Sequence, residues 1–118
     1  MWESDPDCLF CKILAGEIPA EIVYESDSAI AFRDINPQAP THLVIIPRKH
    51  IATINDIETG DNALVGSLYS AARDIAAADG FADDGYRVVM NCNEAAGQTV
   101  FHIHLHLLSG RSLSWPPG

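Results

Sequence analysis

Basic residues are scarce in this chain: its 118 residues include 7 Lys and Arg against 16 Asp and Glu, a formal net charge of -9. A field of that sign repels polyanions, so nucleic acid and anionic membrane surfaces are excluded as nonspecific partners, while a small anion in a local pocket is not. Cysteine is sparse too. Three thiols, an odd number, make a poor disulfide framework and fit a reducing compartment better. No apolar run approaches the roughly 18 residues of a membrane span, and residues 1 to 7 are polar and acidic with no basic leader, so a cytoplasmic location without membrane contact is expected. Repeats, linkers and low-complexity stretches are absent. What is present is a 47% hydrophobic content, too high for disorder and enough for one core, so 1–118 is expected to be a single domain with 1–7 a flexible N-terminus.

Leu9, Phe10, Ile13 and Leu14 fall at helical spacing and predict a short helix over 8–15, stopped by Gly16, with Cys8 and Cys11 inside it. Two apolar runs, 21–24 and 29–33, flank Glu25-Ser26-Asp27-Ser28 and read as a hairpin. Pro37 and Pro40 lack ladder donors and restrict their neighbours, which makes 35–40 a loop. Residues 41–46 then read as a buried strand closed by Pro47. Leu64, Leu68, Ala71, Ala72 and Ile75 mark one stripe of a long helix over 61–79, with Asp61 or Thr59 to cap its start and Gly80 to end it. A further strand is expected over 86–91 and a turn over 93–97. The sum is an α+β fold: a mainly antiparallel five-stranded sheet with one long helix and a short N-terminal helix. Trp115, beside Pro116 and Pro117, would be poorly hidden in a single copy.

Residues 98–111 carry three of the five histidines at alternate positions. A strand here puts His102, His104 and His106 on one face, roughly 7 Å apart, and Phe101, Ile103, Leu105 and Leu107 on the core face. Val, Ile or Thr would pair better in a purely structural strand, so this face calls for nitrogen chemistry. A neutral imidazole fixed through one nitrogen can attack an electrophile with the other. His104, centred in the row, is the natural nucleophile, and charged flanking imidazoles would resist its protonation.

His102-Ile103-His104-Leu105-His106-Leu107-Leu108 resembles the motif of the histidine triad (HIT) superfamily. Gly97-Gln98-Thr99-Val100 before it, the block from Asp34 to His42, and the ending Trp115-Pro116-Pro117-Gly118 resemble the nucleotide-binding phosphoramidase branch, so the likeness spans nearly the whole chain. The resemblance implies a purine nucleoside phosphoramidate hydrolase, acting on adenosine phosphoramidate or aminoacyl-adenylate substrates through a nucleotidyl-histidine on His104. It implies that His106 and Thr99 assist as donors, that His42 supports the triad, and that Gly97, Gln98 and Asn91 lie near the phosphate. Asp34 is expected at the ribose, and Phe32 with Ile13 or Ile22 about the base. It also implies a homodimer with a continuous sheet and the tail, 112–118, near its interface. Asn93 stands near a position where the family often has glycine, a substitution Asn tolerates better than most residues.

Cys8-x-x-Cys11 alone is open to three readings: metal ligands, a redox dithiol or packed thiols. Two thiolates and two imidazoles satisfy tetrahedral zinc, and the resemblance implies a closed structural site of Cys8, Cys11, His50 and His102, with no cofactor for catalysis. Two other functions remain open: dinucleoside polyphosphate hydrolysis by the same triad, and a nonenzymatic nucleotide-binding or adaptor module.

Overall fold

Each expected element forms, in the expected order. The computed structural model describes residues 4–118, and residues 1–3 of the segment 1–7 lie outside the described part. The elements are α1 (Leu9–Leu14), β1 (Ile22–Glu25), β2 (Ala29–Arg33), β3 (Thr41–Pro47), α2 (Asn62–Asp79), β4 (Arg87–Val89) and β5 (Leu105–Ser109), with short 3-10 turns between them. The strands form one antiparallel sheet in the order β1-β2-β3-β5-β4.

Strand alternation divides the core in two. Ala29, Ala31, Leu43, Ile45, Leu105 and Leu107 face the α2 stripe of Leu68, Ala71, Ala72 and Ile75. Small alanines on both surfaces let the helix lie close to the sheet. Ile30, Phe32, Val44 and Ile46 point the other way and pack under Phe10, Cys11 and Ile13 of α1. Opposite β3, His106 pairs with Val44 and His42 with Leu108, so both imidazoles join this second face. Six residues are too few for an autonomous helix. α1 holds because Cys8 caps it, its Sγ accepting from the Cys11 N–H at 3.3 Å, and because its face is buried. Gly80 ends α2 at φ 82, and Gly110 follows β5 at φ 96, where a Cβ would lie 2.8 Å from Pro40 Cβ.

Three local expectations change. Asp61 precedes α2 but makes no capping bond to it; its carboxylate instead accepts from Lys49 Nζ at 2.7 Å and the Glu58 N–H at 3.0 Å. β5 starts only at Leu105, because the ladder with β3 ends at the Ile45–Leu105 pair and the Ile103 N–H turns to the Ile51 carbonyl at 2.7 Å. His102 and His104 therefore sit in the bend before the strand. Phe101 lies further out still, where alternation no longer applies, and is 47% exposed rather than in the core. No helix among the described residues is long and apolar enough to cross a membrane.

Candidate active site

A cleft of about 610 Å³ opens between α1, the segment before β1, the end of β2 and the loop preceding β5. Of the residues singled out in the sequence, Ile13, Phe32, Asp34, Gly97, Thr99, His104 and His106 line it. Ile22 and Asn91 do not. Ile22 is an outward β1 residue, 43% exposed, and the apolar wall it was expected to supply comes from Ile18, Pro19 and Ala20 just before it. Phe10, Val44 and Val100 also line the cleft. Phe10 lies three residues before Ile13, and that helical spacing was the available signal. Its ring meets His104 edge-on at 5.0 Å and Phe32 at 5.5 Å.

Gln98 is buried beneath the loop rather than in the wall. Its Nε2 donates to the carbonyls of Ala52 (2.8 Å) and Val100 (3.1 Å), and its Oε1 accepts from the Asn93 N–H (2.8 Å). This side chain clasps the loop and so has little donor capacity left for a ligand. The turn it holds has Asn93 at φ 68, ψ 178 and Gly97 at φ 91. Asn93 thus adopts a backbone region that normally belongs to glycine. Asn93→Gly should fold with undiminished stability, whereas Asn93→Val should lose about 2 kcal/mol, as read by chemical denaturation.

The histidines are made unequal by what each ring nitrogen touches. His104 Nδ1 lies 2.8 Å from the His102 carbonyl. A carbonyl only accepts, so Nδ1 carries the proton and Nε2 keeps a lone pair. The ring is thus oriented by its own backbone neighbour, and not by His42. His42 Nδ1 accepts from the Gln38 N–H at 3.0 Å, which puts the His42 proton on Nε2; that nitrogen lies 3.0 Å from His106 Nδ1 and donates to it. His106 must then carry its own proton on Nε2. The relay ends in one imidazole with a free lone pair and another with a free N–H.

Burial lowers the pKa of His104 below the usual imidazole value, against the His102 carbonyl, which raises it. Burial also lowers that of His106 to about 4, with the neighbouring rings of His104 and His42 adding to the effect. Burial, more than repulsion from flanking rings, keeps His104 neutral. The rings of His104 and His106 stand 4.9 Å apart between centroids, closer than a regular strand gives.

Asp34 closes the group, one oxygen 3.4 Å from His42 Nε2 and 3.9 Å from His106 Nδ1, the other accepting from the Asn36 N–H at 2.8 Å. Asp34, His42 and His106 are close enough together to suggest a metal site. The tautomers argue against one: coordination through His42 Nε2 would move its proton to Nδ1, straight into the Gln38 N–H. This group is a hydrogen-bond relay.

Cys8, Cys11, His50 and His102 form a second cluster behind the triad. His102 Nε2 donates to the Pro47 carbonyl at 2.8 Å, leaving its Nδ1 lone pair to face Cys8 Sγ at 3.4 Å, Cys11 Sγ at 3.5 Å and His50 Nδ1 at 3.3 Å. Cys11 Sγ is 3.4 Å from His50 Nδ1. A tetrahedral ion with zinc's bond lengths needs S···N edges of about 3.5 Å and N···N edges of about 3.3 Å. The cluster fits, with its ring tautomer already set by a second-layer carbonyl. Burial raises the Cys8 thiol to about 11 and lowers His102 to about 4. These four residues could hold a metal ion.

An antiparallel α+β sheet that presents a relay of unequal imidazoles beside an apolar cleft defines a class of histidine-triad domains. The HIT domain pattern matches residues 15–113, and the chain belongs to that family. It is 51% identical to a HIT-like protein of Synechococcus elongatus, over 95% of this chain and 97% of that one. It is 50% identical to the purine nucleoside phosphoramidase of Escherichia coli K12, over 91% and 90% of the two chains. Among solved structures, the HIT family hydrolase of Legionella pneumophila superposes with a TM-score of 0.92 at 57% identity, covering 95% of this chain and all of that one. A histidine triad nucleotide-binding protein of Candida albicans gives 0.80 at 30% identity, covering 93% and 83%.

Proposed function

We propose that the chain hydrolyses purine nucleoside phosphoramidates, releasing a nucleoside monophosphate and an amine. The observation that carries this reading is the pair of ring nitrogens at one end of the cleft: a lone pair on His104 Nε2 beside an N–H on His106 Nε2. The half-identical phosphoramidase of E. coli supports it. Phe10, Ile13, Ile18 and Phe32 would enclose the base, and the Asp34 carboxylate would accept from ribose hydroxyls.

In the first step His104 Nε2 forms a bond to phosphorus while the P–N bond breaks and its electron pair stays on the amine nitrogen. The amine takes up a solvent proton, relayed by the Thr99 hydroxyl. His106 Nε2–H and the backbone amides near Gly97 hold the phosphate oxygens as charge shifts. The modified His104 is an imidazolium, because Nδ1 keeps its proton, and the His102 carbonyl stabilises that charge. Water then attacks phosphorus, releases one proton, and returns the electron pair to Nε2.

The depressed pKa values of His104 and His106 give the pH dependence its sign. His104 and His106 must both be neutral and burial lowers both, so kcat/KM should hold its plateau below pH 6.5 and fall as His104 takes up a proton, with His106 following at about 4. Between those two values the unfolded chain binds more protons than the folded one, so stability from this residue declines as pH falls from 6.5 towards 4. A pH–rate profile breaking at ordinary imidazole values would contradict the burial argument. Comparing turnover of adenosine phosphoramidate with that of a diadenosine polyphosphate tests the bond chosen, and preference for the latter would reject the reading.

Structural zinc at Cys8, Cys11, His50 and His102 belongs to the same proposal. When bound, it supplies a rigid tetrahedral tie between α1 and the bend before β5, and no chemistry at phosphorus. A cytoplasmic homodimer is also proposed. β4 is a sheet edge, Arg87 holds the tail beside it through the carbonyls of Leu113 and Ser114, and Trp115 is 82% exposed. A single monomeric species in sedimentation at micromolar concentration would reject the dimer.

A further inference from the structure

A second cavity, of about 380 Å³, has Thr99 in its wall. Leu9, Thr99 and Val100 line both cavities, but His104 and His106 line only the first. Its other walls include Phe101, Asp5 and Asp7. In-line displacement at phosphorus sends the leaving group away from the attacking nitrogen, and the role proposed for Thr99 at the departing amine puts that side at Thr99, a residue both cavities share. The room on that side is this cavity.

We propose that it is the subsite for the departing amine, and that it selects amines with an apolar stem and a second positive charge. This rests on the phosphoramidase reading and deepens it. Two observations point the same way. Phe101 and Leu9 are large apolar side chains left 47% and 43% exposed, and both wall the cavity; an aliphatic or aromatic stem would cover them. Both acidic side chains that line it belong to one turn, which is fixed to α1: the Cys8 N–H donates to the Asp5 carbonyl at 3.0 Å, the Asp5 N–H to Cys11 Sγ at 3.4 Å, and the Asp7 N–H to Asp5 Oδ1 at 2.9 Å. Asp5 Oδ2 also lies 3.9 Å from His50 Nε2. Asp7 is exposed just ahead of α1, and its charge is placed to meet a cation on the stem. The chain's net charge of -9 adds a background of the same sign.

The test uses three adenosine phosphoramidates with leaving amines of equal length: hexylamine, hexanediamine and aminohexanoate. The expected order of kcat/KM is diamine, then hexylamine, then aminohexanoate, with about tenfold between the ends and a spread that narrows with added salt. Asp7→Asn should compress the spread and Asp7→Lys should invert the order of the charged pair, while Phe101→Ala should lower kcat/KM for hexylamine. Equal turnover of the three amines by the unaltered protein overturns the subsite alone. An order untouched by Asp7→Lys also overturns it, since that exposed position carries no folding risk of note. Failure to cleave any of the three removes the phosphoramidase reading, and the subsite with it.

Discussion

Replacing His104 with Ala is expected to lower turnover by about 10⁴-fold or more while leaving GMP binding and thermal stability nearly intact. The size follows from what the ring does. Without His104 Nε2 no bond to phosphorus can form from the protein side, and water would have to attack the phosphoramidate directly. Binding is retained because Phe32, Ile13 and Asp34, the contacts proposed for the base and the ribose, also line the cleft and are left in place. Stability changes little because the imidazole makes one hydrogen bond, to the His102 carbonyl, and a small void beside Phe10 is the main loss. Mass spectrometry of a rapidly quenched reaction should find a nucleotidyl group on His104 of the parent protein and none on the variant. His106→Ala is expected to differ in kind. It should slow formation of the adduct without preventing it, because it removes a donor rather than the nucleophile. Undiminished turnover by the His104 variant, or an adduct on another residue, would overturn the mechanism.

The periodicities that define α2, β2 and β3 were legible because each is a long apolar pattern with a clear stop, Gly80 after one and Pro47 at the end of another. The histidine face was legible as alternation, but not its local geometry. Alternation specifies which side a residue faces only while the ladder lasts, and the β3–β5 ladder ends at Leu105. Phe101, misassigned to the core, and the bend at His102 both lie beyond that end. Gln98 shows another limit. A polar residue beside a phosphate loop reads equally well as a ligand donor or a loop clasp, and only its partners Ala52, Val100 and Asn93 distinguish the two. Phe10 was counted as helix core, whereas its ring also orients His104, a contact made by residues 94 positions apart. The inequality of the three histidines depends on single carbonyls, those of His102 and Pro47, and on one N–H, that of Gln38. None of these backbone groups has a sequence signature.

Stripping the proposed zinc is expected to lower the melting temperature by about 15 °C. A ligand held a thousandfold above its Kd stabilises the fold by about 4 kcal/mol, and a chain of this length shifts by about 4 °C per kcal/mol. The physical source is α1, which at six residues cannot persist alone and which Cys8 and Cys11 would tie to the metal. Purification without chelator should give about one zinc per chain, and less than about 0.2 would argue against the closed site. Cys11→Ala should reproduce the loss of both metal and stability. The effect should extend to the nucleophile, because His102 serves both centres: its Nδ1 faces the two sulfurs, and its carbonyl holds His104 Nδ1–H. Loosening that peptide misdirects the His104 ring without removing the base and ribose contacts, so kcat should fall more than nucleotide affinity in the metal-free protein. A metal-free protein that melts lower yet keeps its full kcat would confine the metal to anchoring α1, and would mean that Phe10 and the sheet suffice to aim His104.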